Sequence, residues 1–85
     1  MIVLGLRFKR RDADLLDRLA AQVRNGELGG HGAAVFEQAA RAARLREPLE
    51  VQCSDPMEAV QMAVAYVQFG VSRPVIEELA GRRPA

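Results

Sequence analysis

Cysteine, aromatic side chains and long apolar runs are all scarce in this sequence of 85 residues. The single cysteine, Cys53, has no partner for an internal disulfide bond, which fits a reducing compartment. No apolar run approaches the roughly 18 residues of a membrane-spanning helix. The apolar N-terminus is interrupted at once by Arg7 and Lys9, which is unlike a secretory signal peptide. We therefore expect a cytoplasmic protein with no membrane partner.

The shortage of aromatic residues limits how the core can be built. There is no tryptophan, and one tyrosine and three phenylalanines are present, so the core must consist mainly of Leu, Val, Ile, Met and Ala. A hydrophobic fraction of 49% and a charged fraction of 27% are typical of a globular domain. We predict one small domain over residues 1–81 and a flexible tail at 82–85. Such a small chain often gains stability from a partner subunit.

The periodicity of apolar residues predicts an α+β fold that is predominantly helical, in the order β-α-α-β-α-α. Residues 2–9 alternate between apolar and polar faces, as in a half-buried strand, and 49–53 do the same over a shorter length. Four helices are predicted. The first begins after Asp12 or Asp14 as its N-cap and ends at Asn25-Gly26. The second covers 33–46, the third covers 55–69, and the fourth begins at a Ser72 cap and ends at Gly81.

The third predicted helix has the clearest local signal. In Asp55-Pro56-Met57-Glu58, Asp55 suits the N-cap, Pro56 the first helical position and Glu58 a capping box. The rest of the helix is apolar nearly all round, so most of its sides must be covered. We predict that it lies at the centre of the core or of a homodimer interface that completes the fold. The residues assigned to this interface or core are Val60, Val64, Val67 and Phe69.

Charge is unevenly distributed, although the net charge is only +1. Residues 47–72 carry four acidic and no basic side chains, whereas Arg7, Lys9, Arg10 and Arg11 place four cations within five residues. Such a cluster can contact a phosphate backbone. The alternative is the solvated end of a strand.

Residues 62–81 resemble the helix-turn-helix of phage-type repressors. In Phe69-Gly70-Val71-Ser72-Arg73, Gly70 matches the turn glycine and Ser72 the cap of the recognition helix. The resemblance implies that Ser72 and Arg73 face phosphates or bases. The alternative is an ordinary connection between two helices.

Residues 2–46 resemble a ribbon-helix-helix unit: a strand, a helix, a glycine-containing turn and a second helix. The resemblance implies that the strand pairs with its copy in a dimer. Arg7 and Lys9 would then be the outward side chains that read the major groove.

Few residues suit catalysis or metal binding. Gly29-Gly30-His31-Gly32 could cradle a phosphate, but no Lys, Ser or Thr follows as in a P-loop, and a flexible turn is the alternative. A helix N-terminus after Cys53 would lower the pKa of its thiol, yet its place on the apolar face of a strand predicts a core position. Neither His31 nor Cys53 has an orienting partner, and the two are too few for a zinc site. We predict no catalytic residue, metal or cofactor.

The favoured hypothesis is a small non-enzymatic regulator that binds DNA as a homodimer. The candidate nucleic-acid-binding residues are Arg7, Lys9, Arg10, Arg11, Ser72 and Arg73. The alternative is a protein–protein interaction module, as a subunit, adaptor or inhibitor of a larger protein. A thiol enzyme that uses Cys53 is a third hypothesis.

Overall fold

The computed structural model describes residues 2–28 and 32–79. It confirms an α+β fold dominated by helices, and the order of elements is β-α-α-β-α-β. The elements are β1 (Ile2–Arg7), a 3-10 turn (Arg10–Asp12), α1 (Ala13–Arg24), α2 (Ala33–Leu45), β2 (Leu49–Cys53), α3 (Pro56–Gln68) and β3 (Val75–Glu78). The predicted tail at 82–85 lies outside the described residues.

The predicted fourth helix was wrong, because residues 75–78 form strand β3 instead. The apolar pair Val75-Ile76 suits either element in so short a segment, but β-branched side chains favour extended backbone. Pairing with β1 then decides the outcome: Ile76 lies opposite Leu6, and Val75 opposite Arg7. The edge of β1 thus supplies hydrogen-bond partners that a helix of this length would lack.

The sheet has three strands in the order β2-β1-β3, and β1 is antiparallel to both neighbours. Leu4 and Leu6 of β1 are buried, and they lie opposite Val51 and Leu49 of β2. Because side chains alternate along a strand, these residues share one face of the sheet, and the helices contribute the other side of the core. The buried apolar residues of the core are Leu4, Leu6, Phe8, Ala13, Leu16, Leu19, Ala20, Phe36, Ala39, Ala40, Ala43, Cys53, Ala59, Tyr66 and Val71.

Helices α1 and α2 pack against each other, and their buried side chains include several alanines, among them Ala20, Ala39 and Ala43. Ion pairs cross their exposed sides, from Arg44 to both Asp14 and Asp17 and from Arg24 to Glu37. Exposed pairs of this kind each contribute little to stability. Burial of apolar side chains therefore stabilises the pairing of α1 and α2 more than these ion pairs do.

The predicted ends of the helices are largely confirmed. The side chain of Asp55 accepts hydrogen bonds from the backbone N–H groups of Met57 and Glu58, at 2.9 and 3.3 Å. Gly26, with φ of 76°, follows α1 in the left-handed conformation that ends a helix. Helix α2 ends at Arg46 in the same conformation, which has no glycine signal in the sequence.

Helix α3 is covered on one side only. Ala59, Ala63 and Tyr66 are buried, while Val64 and Val67 are exposed and Val60 is half-buried. The helix is therefore not at the centre of the core of this chain. The predicted residue Phe69 is half-buried and packs edge-to-face on Phe36, with ring centroids 5.4 Å apart.

Tyr66 joins the aromatic residues into one cluster. Its ring meets Phe8 edge-on at 4.8 Å and Phe36 at 6.1 Å, and its hydroxyl donates to the backbone oxygen of Val35 at 3.2 Å. Burial raises the pKa of the Tyr66 hydroxyl to about 12. The folded chain thus favours the neutral phenol.

In the Tyr66→Phe variant, the free energy of unfolding should no longer fall at high pH on account of this phenol. In the unfolded chain the phenol ionises near its ordinary pKa of 10.0, whereas in the folded chain it keeps its proton until about pH 12. The stabilisation is present below pH 10 and is lost as the pH rises towards 12, by about 2 kcal/mol. Urea unfolding from pH 8 upward should show the difference between wild type and Tyr66→Phe shrinking over this interval; parallel curves would contradict the assignment.

Gly5 lies where other residues cover the sheet closely, so it has no room for a side chain. A Cβ at Gly5 would lie 2.8 Å from Pro48 Cβ and 3.1 Å from Leu79 Cδ1. Gly5→Ala should therefore lower the free energy of unfolding by about 1–3 kcal/mol through overpacking. Gly32→Ala is the comparison, since nothing lies within 4 Å of its Cβ position and the change loses only the preference for glycine at the N-cap of α2. Equal stability of the Gly5→Ala variant and the wild type would show that this face is open.

Candidate nucleic-acid interface

One contact joins three consecutive predicted cations to the segment of a fourth that is distant in sequence. Lys9, Arg10, Arg11 and Arg73, hereafter the cationic cluster, are all exposed. The guanidinium of Arg11 donates to the hydroxyl of Ser72 at 3.3 Å. This contact connects the segment after β1 to the loop after α3, so the two groups of predicted nucleic-acid-binding residues adjoin each other.

Local structure explains how the cluster is held. Phe8 is buried after the end of β1, and the backbone N–H of Asp12 donates to the oxygen of Lys9 at 2.9 Å, which closes the 3-10 turn. On the other side, Val71 and Pro74 are buried and flank Ser72 and Arg73. Apolar anchors thus fix the backbone on both sides while the charged ends stay in water.

Asp12 is the link between the two segments. It is only 8% exposed, and its carboxylate accepts a hydrogen bond from the backbone N–H of Ser72 at 3.1 Å. The sequence predicted Asp12 or Asp14 as the N-cap of α1, but the Asp12 side chain makes no capping bond. The 3-10 turn gives Asp12 a helical backbone, with φ of −88° and ψ of −3°, rather than the extended conformation usual at an N-cap.

The cationic cluster carries an excess of positive charge, although the Asp12 carboxylate bonds to the same residue, Ser72, as Arg11 does. Among the described residues, none of its four side chains forms an ion pair, whereas Arg24 and Arg44 are neutralised by carboxylates across the helix hairpin. Exposed cations without acidic partners attract anions, and a guanidinium can bind a phosphate through two parallel hydrogen bonds.

Arg7 does not join the cluster as predicted. Its Nε donates to a carboxylate oxygen of Glu77 at 2.9 Å, and its Nη1 donates to the backbone oxygen of Arg46 at 3.0 Å. Arg7 belongs to the opposite face of β1 from Leu4 and Leu6, so it is directed away from the helices. Its guanidinium thus forms an ion pair within the protein, and this pair connects β1 to β3.

The two family resemblances implied reading elements that the fold does not form. The segment expected to be a recognition helix is β3. Strand β1, which would pair with its copy in a ribbon-helix-helix dimer, has a neighbour on each edge, and Lys9 lies beyond its end. Residues 2–28 and 32–79 therefore contain neither the recognition helix nor the unpaired strand that the two resemblances imply.

Cys53 lies in the core and is 1% exposed, as its strand pattern predicted. Burial raises the pKa of its thiol, and the charges of Glu58 and Asp55 raise it further, so the lowering expected from the following helix was wrong. An accessible thiolate is not available there. The glycine loop through His31, the other nucleophile candidate, lies at 29–31 outside the described residues.

Within residues 2–28 and 32–79, no three side chains of His, Cys, Asp or Glu are grouped to hold a metal ion. No helix of the same residues is long and apolar enough to cross a membrane.

An apolar cleft of about 320 Å³ opens between α2, α3 and β2, and sequence reasoning missed it. Val35, Met62 and Phe69 line it, and Gln38 and Glu50 are its polar members. The only signal in the sequence was the apolar character of α3 on all sides.

Comparisons with protein-family models, curated proteins and solved structures find no match for this chain.

Removing the Asp12 carboxylate should loosen the junction beneath the cationic cluster. Asp12→Ala should lower the free energy of unfolding by about 1.5–3 kcal/mol, as expected for a hydrogen bond to a charged group. Asp12→Asn keeps an acceptor oxygen and should lose less. Asp14→Ala is the control, because its side chain is 91% exposed and its ion pair contributes little. Chemical unfolding measures all three, and equal losses for the Asp12→Ala and Asp14→Ala variants would contradict the role of Asp12.

Proposed function

We propose that this domain is a small non-enzymatic regulator in the cytoplasm that binds duplex DNA through its phosphate backbone. The observation that supports the proposal is the contact between Arg11 and Ser72, which brings the exposed segment with Lys9, Arg10 and Arg11 next to the one with Arg73. These cations have no ion-pair partner among the described residues.

Phosphate binding fits this surface for two reasons. Each cation that neutralises a phosphate releases condensed counterions, which drives binding even without base contacts. The serine hydroxyl adds a group of the kind that commonly hydrogen-bonds phosphate oxygens. The contacts need only a convex charged surface, whereas base reading needs an element inside a groove.

The proposal excludes strong sequence preference. The predicted recognition helix is the edge strand β3, and the predicted reading strand β1 is the central strand of the sheet. Contacts to the phosphate backbone carry little sequence information. Binding should therefore differ little between duplexes of equal length and different sequence.

The test is the affinity for a short labelled duplex, measured by fluorescence anisotropy over a range of salt concentrations. If all four cations contact phosphates, the slope of log K against log salt should be about −3.6 per chain. Arg10→Ala, Arg11→Ala and Arg73→Ala should each reduce the slope by about 0.9, because each removes one phosphate contact.

Arg24→Ala is the matched control, since it removes the same charge at the far end of α1, where Arg24 pairs with Glu37. Its slope should equal that of the wild type. Binding that is undetectable at low salt, or that falls equally in the Arg24→Ala and Arg11→Ala variants, would overturn the proposal.

A protein–protein interaction module is the second candidate function, and the exposed side of α3 favours it. Met57, Val64 and Val67 are exposed there, and other residues of the same helix, Met62 and Ala65 among them, line the apolar cleft. Apolar side chains grouped on one surface mark interaction sites more often than isolated ones do.

A further inference from the structure

The exposed side of α3 has the spacing of a helix-pairing seam. Met57, Val60, Val64 and Val67, hereafter the α3 stripe, follow one another at intervals of three, four and three residues. This is the a/d pattern by which one helix packs along another. Met57, Val64 and Val67 are 59%, 46% and 43% exposed, and Val60 is half-buried, so most of the stripe is uncovered in the single chain.

The stripe also lacks charge. Its exposed neighbours on the helix are Gln61 and Gln68, and no charged residue occurs between Glu58 and Arg73. Two copies of such a face can meet without burying an ion or opposing like charges. Glutamine side chains beside the seam can hydrogen-bond to each other across it.

We propose that the α3 stripe is a homodimer interface, in which the α3 helices of two copies pack antiparallel about a two-fold axis. The inference goes beyond nucleic-acid binding, since no residue of the α3 stripe belongs to the cationic cluster, of which only Arg73 lies near the proposed interface.

The charges at the two ends of α3 select a second copy in this orientation. Asp55 and Glu58 lie at the beginning of the helix, and Arg73 follows its end. Parallel pairing would set the acidic ends together and the basic ends together. Antiparallel pairing sets each acidic end near the basic end of the other copy, and it also opposes the helix dipoles favourably.

The two-fold axis fixes which residues meet. An axis through the middle of the stripe places Met57 beside Val67 of the second copy, and Val60 beside Val64 of the second copy. Both layers are then apolar, and neither requires a change in the fold of the single chain. An isologous interface of this kind closes at the dimer.

The first experiment measures the mass of the intact protein in solution, without nucleic acid, by light scattering or sedimentation over a wide concentration range. We expect twice the mass of the single chain. Val64→Arg should return the mass to that of one chain, because it buries a charge in the seam. Leu45→Arg, a matched change at an exposed leucine at the end of α2, should leave the dimer intact.

Circular dichroism checks that both variants fold, so a change in mass can be assigned to the interface and not to unfolding. If the wild type has the mass of a single chain at every concentration, the inference is overturned. The exposed side of α3 would then bind a different protein. Equal effects of Val64→Arg and Leu45→Arg also overturn it. Because DNA is absent, failure here is distinct from failure of the anisotropy test.

The second experiment tests the orientation by cross-linking. Val60→Cys and Val64→Cys variants are mixed and oxidised. The wild type, whose native Cys53 is only 1% exposed, gives the background level of cross-linking. Antiparallel pairing predicts a disulfide mainly between the two different variants. Disulfides mainly between identical variants would indicate parallel helices and overturn the proposed arrangement.

Discussion

The fold depends on the pairing of β1 with a strand on each of its edges. Segments 2–7, 49–53 and 75–78 are far apart in sequence, and antiparallel hydrogen bonds to β1 bring them into one sheet. Gly5 permits this arrangement, since Pro48 and Leu79 lie so close to it that a side chain would collide. Because β1 is central, the loop after α3 must lead to the edge of β1 that lies opposite β2. That path carries Ser72 past Asp12 and Arg11.

The same constraint shapes what the protein can bind. A central β1 has no free edge for a second copy, and a paired β3 cannot act as a recognition helix. The topology instead brings the segment of Arg73 to the consecutive cations Lys9, Arg10 and Arg11, where the Asp12–Ser72 hydrogen bond joins the two segments. Arg7 shows the converse, because the pairing of β1 with β3 brings it to Glu77, whose carboxylate pairs with its guanidinium.

A small chain leaves α3 incompletely covered. Alanine faces let α1 and α2 pack closely, but small side chains bury little area, and the sheet has only three strands. One side of α3 packs on this core through Ala59, Ala63 and Tyr66, and no described element covers the opposite side. The apolar residues there have the spacing and neutrality that suit a second copy of the helix.

The sequence alone determined the features that depend on local periodicity and capping. Strands β1 and β2, all three helices, the Asp55 N-cap, the buried place of Cys53 and the presence of an apolar α3 could all be predicted, because each depends on neighbouring residues. The tertiary structure decided the rest. Residues 75–78 became a strand because a distant edge was available, Asp12 bonded to Ser72 instead of capping α1, and Arg7 left the predicted cluster for Glu77. These choices depend on partners about 60 or 70 residues away in sequence, and local patterns contain no information about such partners.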